Sequence, residues 1–131
     1  YNLEPGVTRI FQIWIIPDAR GGTPLWGSMP FPKGERSGRF VTLASGMPGD
    51  DDALPIRANA RVLGTTLKAG ESIEYRFDDA TRHGYLVPGT GKVDVDGVVI
   101  EARDGAAIRD VASIRIRALE DAELVLVDTA A

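Results

Sequence analysis

The sequence contains no cysteine and only one histidine, His83. Without cysteine the chain cannot form disulfides, thiolate zinc sites, iron–sulfur clusters or a cysteine nucleophile. A catalytic metal takes about three protein ligands, and an oxygenase iron site needs at minimum about two histidines beside a carboxylate, so His83 cannot supply such a site within one chain. We therefore expect no catalytic residue, no metal ligand and no cofactor in this chain, and we predict a surface position in a turn for His83.

The chain also lacks clustered positive charge and long apolar runs. Fifteen Lys and Arg residues are scattered among nineteen Asp and Glu residues, and the net charge is −4. Neutralising nucleic-acid phosphates requires clustered positive charge. A membrane span requires about 20 apolar residues, and a signal peptide begins with a basic region before a short apolar one. These absences predict a soluble, cytoplasmic chain with no nucleic-acid or membrane partner.

The sequence has no long stretch in which apolar residues recur at helical spacing. Instead it has short segments in which apolar and polar residues alternate. In one of them Ile73, Tyr75 and Phe77 share a face that we predict to point inward. The Asp96-Gly97 pair predicts a tight β-hairpin turn. About nine or ten strands at this spacing predict one all-β domain over residues 1–131, an antiparallel barrel or two-sheet sandwich.

The amino-terminal third has a different character. From Arg9 to Ile16, the sequence RIFQIWII has apolar side chains at both odd- and even-numbered positions. This pattern predicts a strand covered on both faces. Residues 1–9 resemble a linker. Residues 17–38 hold four prolines and predict an irregular arm, because proline removes the backbone donors that a sheet needs. The large side chains of Trp26 and Phe31 indicate that this arm packs across a sheet face.

Residues 56–62 alternate strictly and predict a half-buried strand, with Ile56, Ala58, Ala60 and Val62 on one face and Arg57, Asn59 and Arg61 on the other. The acidic run at 50–52 precedes this segment. Calcium loops space their carboxylates at alternate positions, whereas consecutive carboxylates point apart. We therefore predict a solvated acidic loop at residues 50–52.

Three separated blocks of the sequence resemble a known family. LKAGESIEYRFDDATRHGYLVPGTGKVDVDG (67–97), ARDGAAIRD (102–110) and EDAELVLVD (120–128) are similar, in this order, to the carboxyl-terminal cupin domain of pirin-like bicupin proteins, which are related to quercetin 2,3-dioxygenases. EPGVTRIFQIWIIPD (4–18) resembles the linker and first strand of that domain. The resemblance implies a cupin-type antiparallel β-barrel, that is, a double-stranded β-helix or jelly roll.

The resemblance also implies where the chemistry of the family lies. Its metal is held in the amino-terminal cupin by histidines and a glutamate, and some members act as quercetin 2,3-dioxygenases. A metal-binding cupin would show a His-x-His with a following Glu within 72–87 and another ligand within 102–113, but these stretches contain only His83. The chain starts at Tyr1 instead of Met, which leads us to expect a chain cut at the linker between two cupins.

Three functions remain open from the sequence. The preferred one is a non-catalytic structural cupin that docks through Trp14, Trp26 and Phe31 onto the amino-terminal cupin of the same protein or onto a homo-oligomer partner. The second is a small-molecule-binding barrel with Tyr75 as a weak candidate for ligand contact in its lumen. The third is a metalloenzyme, either with its active site in the missing amino-terminal domain or with His83 from several subunits sharing a metal.

Overall fold

The computed structural model describes residues 1–31, 34 and 36–131. These residues form ten strands: β1 Val41–Ser45, β2 Leu54–Pro55, β3 Ala60–Leu67, β4 Ser72–Arg76, β5 His83–Thr90, β6 Val93–Val95, β7 Val98–Ile100, β8 Ala106–Ile108, β9 Ser113–Ala118 and β10 Ala122–Thr129. Across that part of the chain, no helix is long and apolar enough to cross a membrane. The prediction of an all-β fold with about ten strands is confirmed.

The strands form two sheets that pack face to face. Sheet A has the order β2-β1-β3-β10-β5-β8, and sheet B has the order β4-β9-β6-β7. Neighbouring strands are antiparallel, except that β1 and β2 are parallel. Each sheet is hydrogen-bonded within itself, so the cupin-type jelly roll is a two-sheet sandwich and not a closed barrel.

The hydrophobic core fills the space between the sheets. Sheet A contributes Leu86, Leu124 and Leu126, and sheet B contributes Val93 and Ile116, all fully buried. Burying each such side chain stabilises the fold by about 1.5–3 kcal/mol. The interior is therefore occupied by packed aliphatic side chains.

Two local predictions for sheet B are confirmed. Tyr75 and Phe77 are buried in the core, and Ile73 packs against it as a partly buried side chain. Asp96 and Gly97 connect β6 to β7 with φ angles of 47° and 92°. Two successive positive φ angles are what a type I′ hairpin turn requires.

The predicted alternation of residues 56–62 is confirmed in part, since Ala58 and Ala60 are 4% and 1% exposed, but Ala60 does not point toward the other sheet. In the register of β3 with β10, Leu63 lies opposite Leu126 and Arg61 lies opposite Asp128, so the odd-numbered residues of β3 face the other sheet. Ala60 and Val62 lie on the outer face of sheet A. An arginine can point inward here because acidic side chains at this end of the sandwich bind it.

The strand predicted for residues 9–16 does not form in this chain. No backbone hydrogen bond joins this segment to another described residue. It runs across the outer face of sheet A, where the ring of Phe11 lies against Gly89 of β5. Its far end is anchored by Asp18, whose N–H donates to the Arg57 carbonyl at 3.0 Å. A strand requires a partner strand, and the segment crosses a sheet whose central strands are already paired.

In the arm at residues 17–38, the described residues belong to no named strand, and positions 32, 33 and 35 lie outside the described residues. Its large side chains do not pack as predicted, since Trp26 is 92% exposed and Phe31 is 40% exposed. The arm returns to the sheet at its end, where the Thr66 N–H donates to the Arg36 carbonyl at 2.8 Å. Among the described residues, no sheet face covers the Trp26 ring.

Candidate functional site

A buried polar cluster lies at one end of the sandwich, with Asp128 at its centre. The Tyr75 hydroxyl donates to Asp128 Oδ2 at 2.7 Å, and Arg82 Nε donates to Asp128 Oδ1 at 2.6 Å. Asp128 is 0% exposed and Arg82 is 5% exposed. Both carboxylate oxygens therefore have a strong donor within the protein, and one of these donors carries a positive charge.

The remaining nitrogens of Arg82 also bond to the protein. Nη1 donates to Asn59 Oδ1 at 2.8 Å, and Nη2 donates to the Asn59 carbonyl at 3.2 Å. Nη2 also lies 3.4 Å from the Met47 sulfur. A buried charge is tolerated when its hydrogen-bonding groups are paired, and the Arg82 guanidinium meets this condition.

Strand alternation explains how Asp128 and Tyr75 meet. Asp128 continues the inward face of β10 after Leu124 and Leu126. Tyr75 is on the inward face of β4 in the opposite sheet, and its ring makes edge-on contacts with Phe40 and Phe77 at centroid distances of 5.4 and 5.1 Å. The hydroxyl therefore links sheet B to sheet A across the core.

Beside this cluster, Arg61 forms a second set of ion pairs. Its Nε donates to Asp50 Oδ2 at 2.7 Å and its Nη1 donates to Asp78 Oδ1 at 3.1 Å. The Ser45 hydroxyl donates to the same Asp50 oxygen at 2.5 Å. Asp50 is therefore a structural residue, and the prediction of a solvated loop is wrong for it, while Asp51 and Asp52 are exposed.

These surroundings shift the pKa values of Tyr75 and Asp50, among others. Burial, together with the hydrogen bond to Asp128, raises the pKa of Tyr75 well above its ordinary range, so the hydroxyl keeps the proton that it donates. For Asp50, burial acts to raise the pKa, but the hydrogen bond from Ser45 and the pairing with Arg61 together lower it. Asp50 is therefore ionised at neutral pH.

Asp128 and Arg82 were not among the residues predicted from the sequence. An acidic residue at an inward position, two residues after Leu126, was the available signal, since a buried carboxylate requires partners. His83 is exposed at the start of β5, next to buried Arg82. The predicted docking residues Trp14, Trp26 and Phe31 take no part in the hydrogen bonds of the cluster.

The buried cluster does not suit a metal ion. Each oxygen of Asp128 accepts from a protein donor, and the adjacent Arg82 guanidinium would repel a cation. Within residues 1–31, 34 and 36–131, no three His, Asp or Glu side chains gather closely enough to hold a metal. The Tyr75 hydroxyl also donates its proton within the cluster. What the cluster does physically is hold the two sheets and the β4–β5 turn together.

The outer faces of the two sheets differ in character. The outer face of sheet B carries charged side chains, among them Glu74, Arg115 and Arg117. The outer face of sheet A carries apolar side chains from β5 and β10, namely Tyr85, Val87, Val125 and Val127. Residues 13–18 lie beside this apolar face and enclose with it a cleft of about 600 Å³.

The two-sheet fold and the buried polar cluster define a cupin-type domain with an ion pair in its interior. Residues 42–129 match the family described as the quercetinase C-terminal cupin domain, and the chain belongs to this family. The resemblance found in the sequence is thereby confirmed.

Relatives and solved structures are similar to this chain over part of their length. A pirin-like protein of Caulobacter vibrioides is 67% identical over 130 residues, which are 99% of this chain and 56% of that protein. A quercetin 2,3-dioxygenase of Escherichia coli is 28% identical over 120 residues, which are 92% of this chain and 50% of that enzyme. The chain therefore spans about half the length of these curated relatives.

The structure of YhhW from Escherichia coli superposes with a TM-score of 0.80 and 26% identity, over 88% of this chain and 47% of that one. A second structure, of bacterial pirin YhhW in complex with nickel(II), gives a TM-score of 0.79 and 25% identity over 89% of this chain and 48% of that one. Both structures share the fold of this domain.

Proposed function

We propose that this chain is the non-catalytic structural half of a pirin-like bicupin protein, and that it packs against a metal-bearing cupin domain that precedes it. The observation that carries the proposal is the buried pair of Arg82 and Asp128, because this interior carboxylate is already paired with a guanidinium and offers no free ligand to a metal. A domain with this interior contributes stability and surface to the longer protein.

The comparisons support the assignment of a structural role to this domain and a metal-bearing role to the preceding one. The family is described as a C-terminal cupin domain, and the matched relatives are about twice as long as the chain. One relative is named a quercetin 2,3-dioxygenase, and one neighbouring structure contains nickel(II). We assign any such metal and reaction to the preceding domain of the longer protein. The cytoplasmic location stays a prediction.

Exposed apolar side chains support the docking half of the proposal. Trp14 is 87% exposed and Trp26 is 92% exposed. Both belong to the segment that lies outside the matched region 42–129. Together with the apolar outer face of sheet A, they supply the aromatic and aliphatic surface that interfaces between domains bury.

Thermal unfolding of the longer protein tests the docking. We expect the 131-residue chain and the longer protein to differ, with the longer protein unfolding in one transition at a higher temperature. Trp14→Ser should lower that transition temperature and leave the unfolding of the 131-residue chain unchanged. Val99→Ser, an exposed change on sheet B, is the matched control and should alter neither. Two independent transitions that are insensitive to Trp14→Ser would contradict the proposal.

A further inference from the structure

We propose that residues 10–16 form a β-strand of the preceding cupin domain, added to the edge of a sheet in that domain, while one face of the strand rests on sheet A of this chain. The inference rests on the proposed function for the identity of its partner. It goes further by assigning a named segment of this chain to the fold of the other domain.

The first support is the residue pattern. IFQIWII consists of β-branched and aromatic residues apart from Gln12 and is apolar on both parities. Such a composition is typical of a strand buried on both faces. A segment that was only a linker would have no need of it, since linkers are polar and rich in glycine or proline.

The second support is an alternation in exposure along the segment. On one parity, Ile10, Trp14 and Ile16 are between 83% and 89% exposed. On the other parity, Phe11 is 51% exposed, Ile13 is 41% exposed and Ile15 is half-buried. The segment therefore presents one face to this domain and the opposite face outward, as an extended strand does. Apart from Gln12, the outward face is apolar, and it has no partner among the described residues.

The third support concerns the backbone. The N–H and C=O groups of residues 10–16 form no backbone hydrogen bond with any residue of the described part of the chain. Sheet A cannot pair with them, because the segment crosses near β5 and β10, whose neighbours on both sides are already strands. Buried backbone groups require partners, so covering this segment with a second domain requires that domain to supply the hydrogen bonds.

The choice of partner follows from the comparisons. The relatives match nearly the whole chain yet are about twice as long, and the family describes residues 42–129 as the C-terminal unit. Residues 10–16 lie outside that unit and on its amino-terminal side. A sheet edge in the preceding domain is covalently linked to the segment and is therefore present at a high effective concentration. This linkage favours pairing with the preceding domain over pairing with a second copy of the chain.

Hydrogen exchange of the backbone amides of residues 10–16 tests the inference. In the 131-residue chain these amides should exchange at the rate of an unstructured segment. In the longer protein they should exchange roughly 100-fold more slowly or slower still, because strand amides open only with sub-global unfolding. Equal exchange rates in the two proteins would overturn the inference.

Proline variants of the longer protein provide a second readout. Ile13→Pro removes a backbone donor inside the segment and should lower the stability of the preceding domain, whereas Ile13→Ala should affect it less. Thr8→Pro, just outside the segment, is the matched control. In the 131-residue chain, Ile13→Pro should change the stability no more than Ile13→Ala does. An Ile13→Pro variant of the longer protein with unchanged stability would also overturn the inference.

The two proposals can fail separately. If the two halves unfold together while the amides of residues 10–16 exchange freely, the strand assignment is wrong and the docking of the domains stands. If those amides are protected while the two halves unfold independently, the proposed docking is wrong and the strand assignment stands.

Discussion

Arg82 Nε lies 2.6 Å from Asp128 Oδ1, and both side chains are almost fully buried. Arg82 lies in the turn between β4 and β5, and Asp128 is near the end of β10. The pair therefore connects two parts of the chain that are distant in sequence. The Tyr75 hydroxyl on the second oxygen of Asp128 brings sheet B into the same contact.

Removing the charge of Asp128 should strongly destabilise the fold. Asp128→Asn leaves the Arg82 guanidinium buried without its counter-charge, which costs about 3–5 kcal/mol in the free energy of unfolding. Urea denaturation of the 131-residue chain measures this loss. Asp51→Asn, at an exposed aspartate, is the control and should stay within about 0.5 kcal/mol of the parent. A cost for Asp128→Asn as small as that of the control would refute the structural role of the pair.

Tyr75→Phe measures the contribution of the hydroxyl to stability separately from that of the ring. The variant keeps the edge-on contacts with Phe40 and Phe77 and loses only the hydrogen bond to the Asp128 carboxylate. Hydrogen bonds to charged groups contribute about 1.5–3 kcal/mol, so we expect a loss of this size. Tyr75→Ala, which also deletes the ring, should cost clearly more. Equal losses for the two variants would show that the hydroxyl contributes nothing.

Alkaline pH should weaken the fold through the same tyrosine. The pKa of Tyr75 is raised in the folded state above its ordinary value of 10.0. Above about pH 10 the unfolded state releases this proton before the folded state does, so the free energy of unfolding falls as the pH rises. Denaturation curves between about pH 8 and pH 11 should show this fall in the parent and a shallower one in Tyr75→Phe. Identical slopes would argue against a raised pKa.

Acid pH should lower the stability of the fold through protonation of Asp50. Its pKa in the folded state is below the ordinary value of 3.8, so its contribution is present above that value and is lost as the pH falls through the folded-state pKa. Asp50→Asn should lose about 1–2 kcal/mol at neutral pH and show a shallower decline of stability in acid. Asp52→Asn, at an exposed neighbour, is the control. Parallel acid curves for Asp50→Asn and the parent would contradict the pairing with Arg61 and Ser45.

The hairpin turn between β6 and β7 should resist substitution for a purely conformational reason. Gly97 has a φ of 92°, and a Cβ built there would meet no atom within 4 Å. Gly97→Ala should therefore cost about 1–2 kcal/mol from backbone strain alone. Gly6→Ala, where a Cβ would also meet no atom and no positive φ occurs, should be neutral. Denaturation midpoints of both variants decide the matter, and a neutral Gly97→Ala would contradict the turn geometry.

Local patterns were sufficient for much of the fold. The alternation at Ile73, Tyr75 and Phe77 placed β4 correctly, and the Asp96-Gly97 pair located the hairpin, because both features depend on neighbouring residues alone. The order of three sequence blocks indicated the family. Each of these signals is contained within a few residues or in their order along the chain.

Other features depended on contacts between distant residues. Arg61 faces inward because Asp50 and Asp78 bind it, which alternation in β3 cannot reveal. Asp128 is buried because Arg82 and Tyr75 reach it from elsewhere in the chain. The segment at residues 9–16 has the composition of a strand but no partner strand in this chain, and strand formation depends on such a partner.

Nickel(II) binding by equilibrium dialysis tests the central claim most directly, with the 131-residue chain and the longer protein measured side by side at neutral pH. We predict that the longer protein retains bound nickel and that the 131-residue chain retains none in stoichiometric amount. We further predict that His83→Ala in the longer protein leaves its nickel content unchanged. One equivalent of nickel on the 131-residue chain, lost on His83→Ala, would contradict a structural half without a metal site.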